Sequence, residues 1–195
     1  MSELRYCVLM RDFRVVDKRE FPLVEQPREL YEAGYFPYQG TYYQFIFMAL
    51  EYLQKNYAAA SLIDVGAGCG RVIRVARILG FKRVDGIEIS PSFFEVCRKM
   101  LTKDTCYSGH STLVCRNLER YTPSIAYDVM FAFNPAAASV FVDLFVRMSA
   151  QNVMPRLIVL VNPVLDETLR SFGYTSAYVH STNGHTEFCI YTKCS

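Results

Sequence analysis

The chain has 195 residues, enough for one domain that buries about 70% of its unfolded surface. A 51% hydrophobic content with 14 Tyr and 14 Phe excludes a disordered polymer. The net charge of +2, the pI near 8.1 and the absence of any basic run of five or more argue against a broad nucleic-acid or membrane-surface footprint.

The seven cysteines are odd in number and contain no C-x-x-C pair. Arg5, Arg11 and Arg14 interrupt the N-terminal apolar residues, so no signal-peptide pattern precedes them. Reduced thiols in a cytoplasmic protein are the expectation. No apolar run reaches membrane-spanning length, because Asp128 and Asp143 divide the richest region. His110, His180 and His185 do not cluster with acids at metal-ligand spacing, so no metal site is expected.

In chain order, residues 6–10 and 13–16 suggest two short extended pieces, and Pro22, Pro27 and Pro37 punctuate an irregular lead-in. Thr41 with Gln44 three residues on reads as a capping box. Phe45, Ile46, Met48, Ala49, Leu50 and Leu53 then recur at helical spacing, with an end expected near 55–57. The run Leu62-Ile63-Asp64-Val65 reads as a buried strand. It leads through Gly66, Gly68 and Gly70 into an amphipathic helix over 71–79, which carries Arg71, Arg74 and Arg77 on one face and closes at Gly80.

A second strand is expected over 84–89, then Ser90 as N-cap and Pro91 at the first helical position. Residues 112–115 and 127–133 read as strands three and four, 137–148 as a helix and 157–161 as strand five. Five strand-and-helix alternations imply a doubly wound, mostly parallel α/β sheet. Residues 174–181 and 186–191, joined by Asn183-Gly184, form a C-terminal antiparallel hairpin, with His180 and His185 expected at its exposed tip.

A strand that turns through glycine into a helix presents backbone N–H groups and a positive dipole end, which suits an anionic or nucleoside ligand. An ordinary tight turn has the same local pattern. The glycines follow G-x-G-x-G, with Arg71 where a dinucleotide fingerprint continues differently, and Asp64 precedes them by two residues. A carboxylate there repels a pyrophosphate and suits an ammonium. Glu88 ends the second strand, where an acid accepts ribose hydroxyls. Asp85, near that strand's start, lies away from the ligand-binding edge and is set aside.

Residues Asp64-Val65-Gly66-Ala67-Gly68-Cys69-Gly70 and Gly86-Ile87-Glu88-Ile89-Ser90 resemble the first two motifs of class I S-adenosylmethionine-dependent methyltransferases. The element order matches over residues 38–195. The resemblance implies a Rossmann-like seven-stranded sheet, its last strand antiparallel and inserted beside the fifth. It also implies S-adenosyl-L-methionine as cofactor: Asp64 on the methionine ammonium, Gly66, Ala67 and Gly68 under the methionine and ribose, Glu88 on the ribose hydroxyls and Ile89 against the adenine.

Where the family has an acid that bonds the adenine amino group, this chain has Asn117. Tyr38 and Gln39 match a segment that closes over the cofactor, which makes residues 1–40 a possible lid and 41–195 the cofactor-binding domain. Asn134, followed by Pro135, matches the position beside the transferable methyl group, but three alanines replace the following aromatic, which argues against adenine or glutamine acceptors. Asn134 is thus the candidate for both cofactor contact and catalysis, and no catalytic base is assigned. The expected function is a methyltransferase with a small-molecule or protein acceptor, nucleic acid being disfavoured. The alternative is a non-catalytic cofactor-binding protein or partner subunit; a nicotinamide-dependent oxidoreductase is disfavoured by Arg71 and the terminal hairpin.

Overall fold

A computed structural model describes residues 40–103, 107–133 and 136–194. The extended pieces expected at 6–10 and 13–16, and the candidate residues Tyr38, Gln39 and Asn134, lie outside the described residues. The elements run α1 (Tyr43–Tyr57), β1 (Ser61–Val65), α2 (Arg71–Ile78), β2 (Arg83–Glu88), α3 (Pro91–Lys103), β3 (Leu113–Cys115), β4 (Val129–Phe133), α4 (Ala138–Ala150), β5 (Leu157–Val161), α5 (Asp166–Ser171), β6 (Tyr174–Thr182) and β7 (His185–Lys193).

The sheet order is β3-β2-β1-β4-β5-β7-β6, parallel from β3 to β5, with β7 antiparallel to both β5 and β6. The doubly wound expectation and the inserted antiparallel seventh strand are therefore both present. β1, β4 and β5 are buried on both faces because helices cover each side: α1, α2 and part of α3 with the first core, α4 and α5 with the second. Parallel strands buried in this way read as continuous apolar runs, which is why 157–161 was legible to the residue.

Even-numbered β1 and β2 residues share one face. Leu62 and Val84 belong to the core under α1 and α2, whereas Ile63, Val65 and Ile87 pack under α4. Asp128, just before β4, ties the opposite edge of the sheet together. One of its oxygens accepts from the Ala60 and Ser61 N–H groups, both at 2.9 Å.

Two local expectations are corrected. The Thr41–Gln44 capping box does not form: α1 begins at Tyr43 with Tyr42 at the N-cap and no side-chain cap bond. Thr41 lies one residue too early, and its carbonyl accepts instead from the Arg71 guanidinium at 3.3 Å. His180 is not a tip residue. It is half-buried and stacked on Phe188, ring centroids 5.1 Å apart, with Phe45 of α1 beside it at 5.7 Å. Only His185 is exposed as expected.

The hairpin turn takes Asn183 and Gly184 to φ 51° and 81°, the paired left-handed conformation that two-residue loops require. Phe188 pairs with Val161, the last residue of β5, so the hairpin stands about 10 Å beyond that end, at the rise of an extended strand. Among the described residues no helix is long and apolar enough to cross a membrane.

Candidate functional site

The carboxyl ends of β1, β2, β4 and β5 form the edge at which doubly wound sheets hold ligands. After Val65 the chain turns through Gly66, Gly68 and Gly70 at φ 80°, 52° and 84°. These left-handed conformations are cheap only for glycine. The Gly66 and Ala67 N–H groups both donate to the Ile87 carbonyl, at 3.0 and 2.9 Å, and fasten the turn to β2. A Cβ on Gly70 would come within 2.6 Å of Cys97 Sγ and Met100 Cε, so α3 is the close wall beneath the turn. α2 then starts at Arg71 with Gly70 as its N-cap, directing helix N-terminal N–H groups at this edge.

Asp64 and Glu88 lie on the same face of neighbouring strands and are 3% and 5% exposed. Glu88 is held by backbone: Oε2 accepts from Gly68 N–H at 2.6 Å and Oε1 from Ser90 N–H at 2.8 Å. A carboxylate has about four lone-pair positions, so hydroxyl donors can still be added. Burial pushes the Glu88 carboxyl above its ordinary range, against the opposing pull of those N–H groups.

Asp64 is different. Among the described residues its buried Oδ2 has no hydrogen-bond partner. Burial, with the charge of Glu88 added, pushes its carboxyl well above the usual range. An unsatisfied buried carboxylate costs free energy and marks a place where a cation or donor is missing.

Asp85 behaves as a structural acid, as its position near the start of β2 suggested. It accepts from Arg83 Nε at 2.7 Å, Thr112 N–H at 2.6 Å and the Tyr127 hydroxyl. Ile89 is partly buried against the second core, next to Glu88 at the strand end. Asn117 follows β3 and caps a short 3-10 turn (Leu118–Arg120): Oδ1 accepts from Glu119 N–H at 2.8 Å and Nδ2 donates to Glu119 Oε2 at 3.0 Å. The structure thus brings Asp64, Gly66, Ala67, Gly68, Glu88 and Ile89 to one place at the carboxyl edge, with Asn117 just beyond β3.

Three residues were missed from sequence. Ser90 N–H orients Glu88, Cys97 walls the turn, and Arg71 draws the approach to α1 against it. The Arg71 guanidinium also lies over the Tyr43 ring, 5.5 Å from its centroid. Its signal was available: a cation in the first turn opposes the helix dipole and needs another reason to be there.

No protein-family model matches the chain, and no curated protein sequence matches it. Solved structures do. Magnesium protoporphyrin IX methyltransferase from Synechocystis PCC 6803 with bound SAM superposes with a TM-score of 0.63 at 13% identity, covering 95% of this chain and 97% of that one. SAM-bound CalS10, an amino pentose methyltransferase from Micromonospora echinaspora, gives 0.61 at 14% identity, covering 89% and 99%. The glycopeptide N-methyltransferase MtfA gives 0.58 at 14%, covering 75% and 94%. The chain has the class I methyltransferase fold.

Proposed function

We propose that this chain is an S-adenosylmethionine-dependent methyltransferase acting on a small-molecule or protein acceptor. The observation that carries the reading is the orphaned Asp64 oxygen beneath a left-handed glycine turn whose other acid, Glu88, is already oriented by backbone. A buried carboxylate lacking a partner fits the ammonium of an amino-acid nucleoside and repels a pyrophosphate. The fold neighbours with SAM in their structures support the same ligand.

When bound, S-adenosylmethionine supplies an electrophilic methyl group on a sulfonium, open to in-line displacement by a nucleophile. The residues of this chain then have distinct tasks. Asp64 accepts from the ammonium, and its ionised form is restored by that charge. Glu88 accepts from the ribose hydroxyls through its remaining lone pairs. Gly66, Ala67 and Gly68 let the ligand lie against backbone without a Cβ in the way. Ile89 and Asn117 flank the base.

Tyr38 and Gln39 directly precede Gly40 and Thr41, which Arg71 holds beside the glycine turn; that tether supports their assignment to a cover over the cofactor. Asn134 follows the last residue of β4 and is proposed to face the methyl group. Dispersal of positive charge in the displacement asks mainly for alignment and exclusion of water, so no base is assigned.

The test has two stages. Calorimetry with S-adenosylmethionine, S-adenosylhomocysteine and NAD should show binding of the first two only. Labelled methyl transfer in a cell extract lacking the protein, fractionated into small molecules, protein and RNA, then identifies the acceptor. Binding of NAD in preference to the nucleoside sulfonium refutes the assignment.

A further inference from the structure

The start of α1 spans the carboxyl edge of the sheet. At one end the Thr41 carbonyl accepts from Arg71, the first residue of α2 after the glycine turn that follows β1. At the other, one helical turn on, the Phe45 ring lies 5.7 Å from His180 and 6.2 Å from Phe188 of the hairpin. β4 and β5 lie between β1 and β7 in the sheet, so this bridge crosses the ends of both. Phe133, the last residue of β4, is partly buried and packs against the first core, the side that α1 covers. Tyr42 extends the row outward: it stands edge-on to Phe45 at 5.7 Å and keeps 73% of its surface exposed. Tyr42, Phe45, Phe133 and His180 thus set four rings along one stretch of the edge.

We propose that this aromatic rim binds a planar aromatic small molecule as the methyl acceptor, an inference that rests on the methyltransferase reading above. The His180 imidazole is held ready for stacking. It lies on Phe188 at 5.1 Å with the planes inclined by 23°, and Phe188 itself is fully buried. Phe45 braces it from the side at 57°. β6 is the last strand of the described sheet, so no further strand of the described residues covers the imidazole from outside, and it stays half-buried. A ring fixed in this way gives up little freedom when a flat ligand is laid against it. The neutral imidazole also carries one donor and one acceptor nitrogen, which suit a phenolic hydroxyl or a heterocyclic nitrogen.

The position suits an acceptor rather than the cofactor. Phe188 pairs with Val161 on one side and with His180 on the other, so His180 is level with the end of β5. β6 is three strands from β4, a backbone separation of about 14 Å. A fused-ring molecule covers that span once the side chains are counted, with its reacting atom at β4 beside Asn134 and its far edge against His180. The acceptor's oxygen or nitrogen bonds to the methyl carbon while the carbon–sulfur electron pair returns to sulfur, and the acceptor's proton passes to water.

The test is isothermal titration of the full chain with 2-naphthol and with quinoline, at saturating S-adenosylhomocysteine. Saturable one-to-one binding of at least one is expected, with the non-planar decahydro-2-naphthol bound about tenfold more weakly. His180→Ala and Tyr42→Ala should each weaken binding about three- to tenfold, the contribution of one aromatic pair. His180→Phe restores a stacking ring and should bind within about twofold of wild type. Affinity for S-adenosylhomocysteine and the circular dichroism spectrum should be unchanged throughout, and the exposed Tyr42 keeps the test decisive should His180→Ala misfold. Nucleoside binding without saturable binding of either ring compound overturns this inference and leaves the methyltransferase reading standing. Failure of the wild-type chain to bind the nucleoside refutes that reading and this inference with it. Wild-type affinity for the ring compounds in Tyr42→Ala and His180→Ala, or methyl label recovered only in protein or RNA, also overturns it.

Discussion

Replacing Asp64 with Asn should make the free protein more stable and the cofactor complex weaker. The substitution keeps shape and removes charge. In the free protein the Asp64 carboxyl is 3% exposed, has one oxygen without a partner, and faces the neighbouring charge of Glu88. Ionising it there opposes folding. A group whose folded pKa is raised contributes stability that is present below its unfolded pKa of about 3.9 and is lost as pH rises through the folded value. The wild-type melting temperature without ligand should therefore fall with rising pH across that window, and Asp64→Asn should flatten the slope. At neutral pH the variant should gain about 1 kcal/mol, or about 2–4 °C in a chain of this length. With S-adenosylmethionine the sign reverses. An ammonium–carboxylate hydrogen bond contributes about 1.5–3 kcal/mol, so Kd should rise by about 10- to 100-fold. Wild-type affinity for the ligand should also fall as pH drops through the raised Asp64 pKa, because the acid form does not hold an ammonium. Calorimetry and thermal scans over a pH series measure both effects. A variant that melts lower than wild type without ligand, yet binds S-adenosylmethionine equally well, would refute the reasoning.

Glu88 should behave differently, since it fastens the turn in addition to its proposed contact with the ligand. Glu88→Ala strands the Gly68 and Ser90 N–H groups and should cost about 2–4 kcal/mol in urea unfolding in addition to weakening cofactor binding. Gly70→Ala meets both a φ of 84° and the sulfur of Cys97; a loss of about 2–4 kcal/mol in the free energy of urea unfolding is expected, with the fold retained. Tyr127→Phe removes the hydroxyl from Asp85 and should lower stability by about 1–2 kcal/mol without changing cofactor affinity, because this bond lies on the far side of β2 from the turn.

Much of the fold was legible in local pattern. β5 is a five-residue apolar run with no polar interruption, and the Asn183-Gly184 pair dictates a hairpin through its backbone preference. The glycine spacing and the two acids at 64 and 88 marked the carboxyl edge, because each depends on the residue's own chemistry and its place along a strand. Helix α5 went unread, since six residues are too few for a periodic signal.

What only the tertiary structure decided is which groups meet. The Thr41–Gln44 pair has the right spacing for a cap, yet the helix takes Tyr42, one residue on, as its N-cap, and the Thr41 carbonyl accepts from Arg71, 30 residues away. His180 looked like a loop-tip residue until β7 brought Phe188 and α1 brought Phe45 against it. Sequence marks Asp64 and Glu88 alike as strand acids at the carboxyl edge, but folding supplies backbone donors to Glu88 and, among the described residues, leaves an oxygen of Asp64 without a partner. Periodicity and turn chemistry are properties of neighbouring residues and can be read along the chain. Satisfaction of a buried charge depends on residues that become neighbours only after the sheet has closed, and that difference separates Glu88, tied to backbone N–H groups, from Asp64.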